Sequence, residues 1–283
     1  MAGSRRGGPA GRPRGRPAAA ATALTQHRGG SGPPLVLLHG LGFSWRSWVP
    51  VLGALEARHD VLALDLPGFG AAPPLKDRPT PAALADAVEA ELDRVGAGAP
   101  AVAGNSLGGW IALELARRGR AERVVAIAPS GLELPHERAY VVWLNEVMRL
   151  RARLGAPLGR LLTAPLPIRI AMFGGMRTRP WNVDPDEGAR ELEAFGRSRA
   201  FQRTLRSTVG ARAPAGLGDI AVPVRIAFGT LDAMLGAYTA PRFAAAIPRA
   251  DLVELPGVGH VPMADDPDLV ARTILDFTAA ARR

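Results

Sequence analysis

The stretch Ala101-Val102-Ala103-Gly104-Asn105-Ser106-Leu107-Gly108 sets a serine between a short apolar run and a helix-patterned segment, Gly108 to Arg118. An apolar run that stops at a glycine reads as a buried strand ending in a turn, with a helix following at once. A serine on so sharp a turn must take a strained backbone, and the flanking glycines lack the Cβ atoms that would collide there. Ser106 is then held out at the carboxyl end of a strand as a candidate nucleophile. The plainer alternative is an ordinary tight turn.

The same rhythm extends in both directions. Leu35 to Leu38 ends at His39-Gly40, Val61 to Leu64 at Asp65, and Val124 to Ala128 at Pro129. Val224 to Phe228 ends at Gly229 and Asp251 to Leu255 at Pro256. Each reads as a strand buried largely on both faces with a loop at its carboxyl end. Helical patterns lie between them: Pro81 to Val95 behind Thr80, Ala240 to Ile247, and Pro267 to Ala281 behind Asp266. Alternating strands and helices predict an α/β fold, a mostly parallel sheet flanked by helices, with ligands at the carboxyl ends of the strands.

The alternation stops between Leu132 and Gly218, where Tyr140, Trp143, Leu144, Val147, Met148 and Leu154 recur at helical spacing. Asp184-Pro185-Asp186-Glu187 offers an N-cap, a proline at the first helical position and a capping-box glutamate. Residues 132–218 are therefore expected to form a helical insertion, a cap, over a core of 23–131 and 219–283. Its large apolar side chains suit a cap core, and Trp143, Met148, Phe173 and Trp181 are the candidates for contact with an apolar substrate.

A serine hydroxyl needs a base, and histidine titrates in the useful range. Of five histidines, His27, His59 and His136 lie near the tail, before a strand and in the insertion. His260 sits in the loop Gly257-Val258-Gly259-His260-Val261-Pro262 after the last strand, where its ring can swing over the serine. His39 is more useful for its backbone neighbourhood than for its ring. Asp232, after the strand ending at Gly229, is the candidate acceptor for the second imidazole nitrogen. The position after the strand that follows the nucleophile reads Ala128-Pro129-Ser130-Gly131 and holds no carboxylate. Asp65, Asp219, Asp265 and Asp266 are read as loop or capping residues. Two backbone N–H groups, of Leu107 at the helix start and Leu41 within Gly40-Leu41-Gly42, are candidate donors to an oxyanion.

Composition narrows the class. At 283 residues with 47% hydrophobic and 22% charged content the chain can bury a substantial core, and the absence of cysteine excludes disulfides, thiolate metal sites and a cysteine nucleophile. The net charge of +9 falls to +4 once the five arginines of residues 1–16 are set aside, so the folded part is not a nucleic-acid face. Residues 1–22, rich in Gly, Pro and Arg, are expected to be a disordered tail. No segment approaches a spanning helix, and the apolar run Ala18 to Leu24 is short for an export signal, so the cytoplasm is the expected location. A small-molecule substrate is expected, with no metal, cofactor, nucleic-acid or membrane partner; the oligomeric state is open.

His39-Gly40-Leu41-Gly42, Asp65-Leu66-Pro67-Gly68-Phe69-Gly70, Gly104-Asn105-Ser106-Leu107-Gly108-Gly109 and Gly257-Val258-Gly259-His260 together resemble the α/β-hydrolase family, from about Leu24 to the C-terminus. The order serine, aspartate, histidine agrees with that fold. The resemblance implies a sheet of roughly eight strands, a helical cap after the strand that follows the nucleophile, and cofactor-free acyl chemistry. Haloalkane dehalogenases and epoxide hydrolases in the family use an aspartate where this chain has Ser106. C–C hydrolases often carry Ser-Gly-x-Gly where this chain reads Leu41-Gly42-Phe43-Ser44. Ester or thioester hydrolysis is the leading expectation; C–C hydrolysis, acyl transfer, perhydrolysis or a slow-turnover ligand receptor are the alternatives. The first strand of the family is not legible in this sequence.

Overall fold

A computed structural model describes residues 23–211 and 214–279. The tail expected over 1–22 lies outside the described residues. In chain order the elements are β1 (Thr25–Gly29), β2 (Pro34–Leu38), α1 (Val49–Glu56), β3 (Asp60–Leu64), α2 (Pro81–Val95), β4 (Ala101–Asn105), α3 (Leu107–Arg117) and β5 (Arg123–Ile127). The insertion follows as α4 (Pro135–Gly155), α5 (Arg160–Thr163), α6 (Leu166–Phe173), α7 (Pro185–Arg197) and α8 (Phe201–Val209). β6 (Val224–Gly229), α9 (Ala240–Ala246), β7 (Asp251–Leu255) and α10 (Pro267–Thr278) complete the chain.

The strands of the described residues form one seven-stranded sheet in the order β1-β3-β2-β4-β5-β6-β7. Every neighbouring pair is parallel except β1 with β3. Side chains alternate across a strand. Leu35 and Leu37 therefore join the core shared with α1 and α10, while Val36 and Leu38 join the one shared with α2, α3 and α9. Met148, Ala152, Phe173, Leu192 and Phe195 of the insertion extend the first of these cores, so the inserted helices pack on the body rather than stand apart from it.

Two expectations change at the sheet edges. The strand missing from the sequence reading is β1, Thr-Gln-His-Arg-Gly, an edge strand with a register shift between Thr25 and His27. Its residues are half-buried or exposed, so no apolar run marks it. At the other edge β7 was expected to be buried on both faces, yet Asp251, Leu252 and Glu254 are exposed, because only β6 lies beside it.

Caps are local and behave as the sequence implies. The Thr80 hydroxyl accepts from Ala83 N at 3.1 Å and Asp266 from Leu269 N at 3.0 Å. Asp184 accepts from Asp186 N and Glu187 N, but the Glu187 carboxylate takes the Arg46 guanidinium and ties the insertion to the segment before α1 instead of closing a capping box.

Candidate active site

Ser106 lies between β4 and α3 with φ 55° and ψ −115°, in the positive-φ region that ordinary residues avoid. The neighbours explain why the turn is built of glycine. A Cβ at Gly104 would stand 2.2 Å from Gly108 O, and one at Gly108 would stand 2.2 Å from Leu38 O. The strained residue is pinned by its own backbone: Ser106 N donates to Ile127 O at 2.9 Å, and its carbonyl accepts from Trp110 N and Ser130 N. Ala128, at the end of β5, is the other non-glycine residue of the described chain with positive φ.

Asp232 and His260 are brought together from the loops after β6 and β7. His260 Nδ1 lies 2.8 Å from Asp232 Oδ2, and both side chains are almost fully buried. The other carboxylate oxygen, Oδ1, accepts from Met234 N at 2.8 Å and Leu235 N at 2.9 Å. Burial alone would raise the Asp232 carboxyl, but the charge and hydrogen bond of His260 and the two backbone N–H groups outweigh it and hold the group below the usual carboxylate range. An ionised carboxylate only accepts, so Nδ1 carries the proton and the Nε2 lone pair is free to take another.

Ser106 and His260 line one cavity, together with Leu41 and Leu107. It encloses about 670 Å³ of empty space, open solvent at its mouth included. Its walls include the apolar Phe43, Met176, Leu205 and Met234 and the polar Ser130, Glu133, Arg138 and Thr208. Among the described residues no hydrogen bond joins the Ser106 hydroxyl to the His260 ring; such contacts tighten when substrate arrives. The N–H groups of Leu41 and Leu107 likewise donate to no acceptor among the described residues. Two free N–H donors beside a serine and a histidine are the kind of arrangement that can stabilise an oxyanion formed on an attacked carbonyl.

The loops carrying these groups are braced by residues that sequence reasoning passed over or valued differently. The Asn105 side chain donates to Ile127 O and, at 3.0 Å, to His260 O, which fastens the histidine loop to the serine turn. Asp265 accepts from Gly259 N at 2.9 Å, from Thr178 N and Oγ1, and from Arg179 N, joining that loop to the insertion. Asp65 accepts from Trp45 N and Ala71 N, both at 2.8 Å. His39 is fully buried; its Nδ1 donates to Gly40 O at 2.7 Å and its Nε2 accepts from Leu66 N at 2.9 Å. Burial pushes its pKa down, and the neutral ring sets the loop that bears Leu41. For Asn105, Asp65 and His39 the only sequence signal was polarity at strand ends, which does not reveal a bonding partner.

The four aromatic and methionine candidates separate. Met148 and Phe173 are buried around a second, apolar cavity with Met172, Leu192 and Phe195, and Phe43 and Met176 border both cavities. Trp143 and Trp181 line neither cavity; they are 59% and 53% exposed. The cause for Trp143 is helical phase. Val141, Asn145, Met148 and Ala152 share the inward face of α4, and a residue two positions before Asn145 points roughly 200° away at about 100° per residue. Among the described residues no group of three or more His, Asp or Glu could hold a metal ion, and no helix is long and apolar enough to cross a membrane.

Comparison with known proteins agrees with this architecture. A relative from Mycobacterium tuberculosis, an epoxide hydrolase, is 31% identical over 208 residues, 69% of this chain and 94% of its own. A pimeloyl-[acyl-carrier protein] methyl ester esterase of Chromobacterium violaceum is 31% identical over 242 residues, 82% of this chain and 89% of its own. The crystal structure of the enol-lactonase from Burkholderia xenovorans matches with a TM-score of 0.73 at 23% identity, over 90% of this chain and 95% of that one. The model of the alpha/beta hydrolase family matches residues 35–273, and the chain belongs to that family.

Proposed function

We propose that the protein is a serine hydrolase that cleaves a carboxylic ester or thioester of a small apolar acyl substrate through an acyl-enzyme. The observation that carries this reading is the imidazole of His260, held through Nδ1 by Asp232, in the same cavity as a serine on a strained strand-to-helix turn. Ser106 Oγ attacks the carbonyl carbon while its proton passes to His260 Nε2, and Asp232 stabilises the imidazolium. The carbonyl oxygen becomes an oxyanion that accepts from Leu41 N and Leu107 N. Collapse expels the alcohol or thiol, which takes the proton from His260. Water then repeats the sequence on the acyl-serine and returns the free acid. The helices of 132–218 act as the cap that shapes the acyl side, the substrate is a free small molecule, and the cytoplasm is the location we assign.

A relative named as a methyl ester esterase supports the bond class. Epoxide opening is not adopted: attack by Ser106 on an epoxide carbon would leave an alkyl ether with no carbonyl for water to attack. The test is labelling with a fluorophosphonate probe followed by peptide mass spectrometry. Modification of Ser106, lost in Ser106→Ala, is expected; undiminished labelling of that variant overturns the assignment.

A further inference from the structure

Where the carboxyl-terminal parts of α4 and α7 meet, the chain builds a third cleft, lined by polar groups. Its walls carry Arg149, Arg153, Arg197 and Arg199, with Gly196 and Ser198 between them. The carboxyl ends of α4 and α7 account for Arg153 and Arg197, since cations are favoured in the last turn of a helix. They do not account for Arg149. It lies more than a turn inside α4 and is 7% exposed, with its guanidinium over the Phe201 ring at 4.7 Å. Its Nη2 donates to Ser198 O at 3.2 Å, while Nε and Nη1 are buried and have no acceptor among the described residues.

A buried cation without a counter-ion is unfavourable unless something supplies the missing charge. Burial, and next the charge of Arg153, push the Arg149 pKa down, with Glu146 opposing. Glu146 offsets that charge only from a distance, since its carboxylate is held by the Gln202 amide at 2.8 Å and makes no ion pair with Arg149, and Glu193 pairs with Arg197 at 2.5 Å. Arg149, Arg153 and Arg199 form no ion pair within the described chain.

We propose that this cleft binds a phosphate group, free or carried on a larger molecule, with Arg149 at its base and Arg153 and Arg199 at its rim. Four arginines line this one cleft, and a tetrahedral dianion with many acceptor sites answers such a concentration of positive charge better than a single carboxylate, which would leave most of it uncompensated. The site is separate from Ser106 and does not depend on the hydrolase reading.

The experiment is isothermal titration calorimetry of the full-length chain with inorganic phosphate, pyrophosphate and acetate, in chloride buffer of matched ionic strength. Binding of phosphate or pyrophosphate, with acetate at least ten-fold weaker, is expected. Phosphate favoured over pyrophosphate indicates a site for a single phosphoryl group, and the reverse a diphosphate. Arg149→Met should weaken binding at least ten-fold and leave the melting temperature in chloride unchanged or raised, because it removes a buried charge that has no ion-pair partner among the described residues. Arg199→Gln, on the exposed rim, should weaken binding several-fold and guards against misfolding of the buried variant. Acetate equal to phosphate, no binding above chloride, or unchanged affinity in both variants overturns the proposal.

Discussion

Replacing Asp232 with asparagine tests the proposed chemistry at its most constrained point. Oδ1 of Asp232 accepts from two backbone donors, Met234 N and Leu235 N, and Oδ2 faces His260 Nδ1 at 2.8 Å. An asparagine cannot turn its NH₂ toward the two N–H groups, so its oxygen must stay there and its NH₂ must face His260. A donor in that position forces Nδ1 to accept and moves the ring proton to Nε2, where it blocks uptake of the serine proton. Loss of the correct tautomer with geometry preserved costs about 10⁴-fold in turnover in the serine proteases, roughly 5 kcal/mol in the barrier. The same fall is expected here for p-nitrophenyl acetate. Because both backbone donors keep their acceptor, the melting temperature should move by only a few degrees. Turnover within ten-fold of the parent in a folded variant would refute the assignment of Asp232.

Other outcomes follow from the same structure. Phe173→Ala, which enlarges the second apolar cavity, should shift the preferred acyl length in a graded p-nitrophenyl ester series by a factor of about 10–200 between best and worst chain, whereas exposed Trp143→Ala should leave the profile unchanged; a uniform fall for every ester in both variants would remove the cap from specificity. Gly108→Ala drives a Cβ against Leu38 O, so the turn must shift, with a loss of about 1–3 kcal/mol of stability read as a lower melting temperature together with slower fluorophosphonate labelling of Ser106. Burial would raise the Glu91 carboxyl, but hydrogen bonds from Arg94 and from Thr25 of β1 outweigh it and hold the pKa at about 2. A carboxyl with a depressed folded-state pKa contributes stability above its unfolded value that is lost as pH falls through the folded one. The melting temperature of the parent should therefore drop more steeply between about pH 4.5 and pH 2 than that of Glu91→Gln, and parallel curves would discount the link between β1 and α2.

What the sequence determined by itself was everything set by short-range physics. Apolar runs ending at Gly40, Gly104 and Gly229 marked β2, β4 and β6, because a strand buried on both faces needs continuous apolar residues. Thr80 and Asp266 marked helix starts because capping is local, and Gly104 marked the strained turn at Ser106 because its hydrogen meets the Gly108 carbonyl within the same turn. Loop position made Asp232 and His260 candidates. Their 2.8 Å contact, across 28 residues, was decided by the parallel pairing of β6 and β7. Tertiary structure alone also decided what depends on rotation and on partners remote in the chain. The phase of α4 turned Trp143 to solvent and Met148 inward, pairing with β3 made a strand of the polar Thr25–Gly29, and packing of α4 on α7 and α8 buried Arg149 over Phe201. A side chain's type limits what it can do, but its neighbours are chosen by the direction in which a distant element presents it.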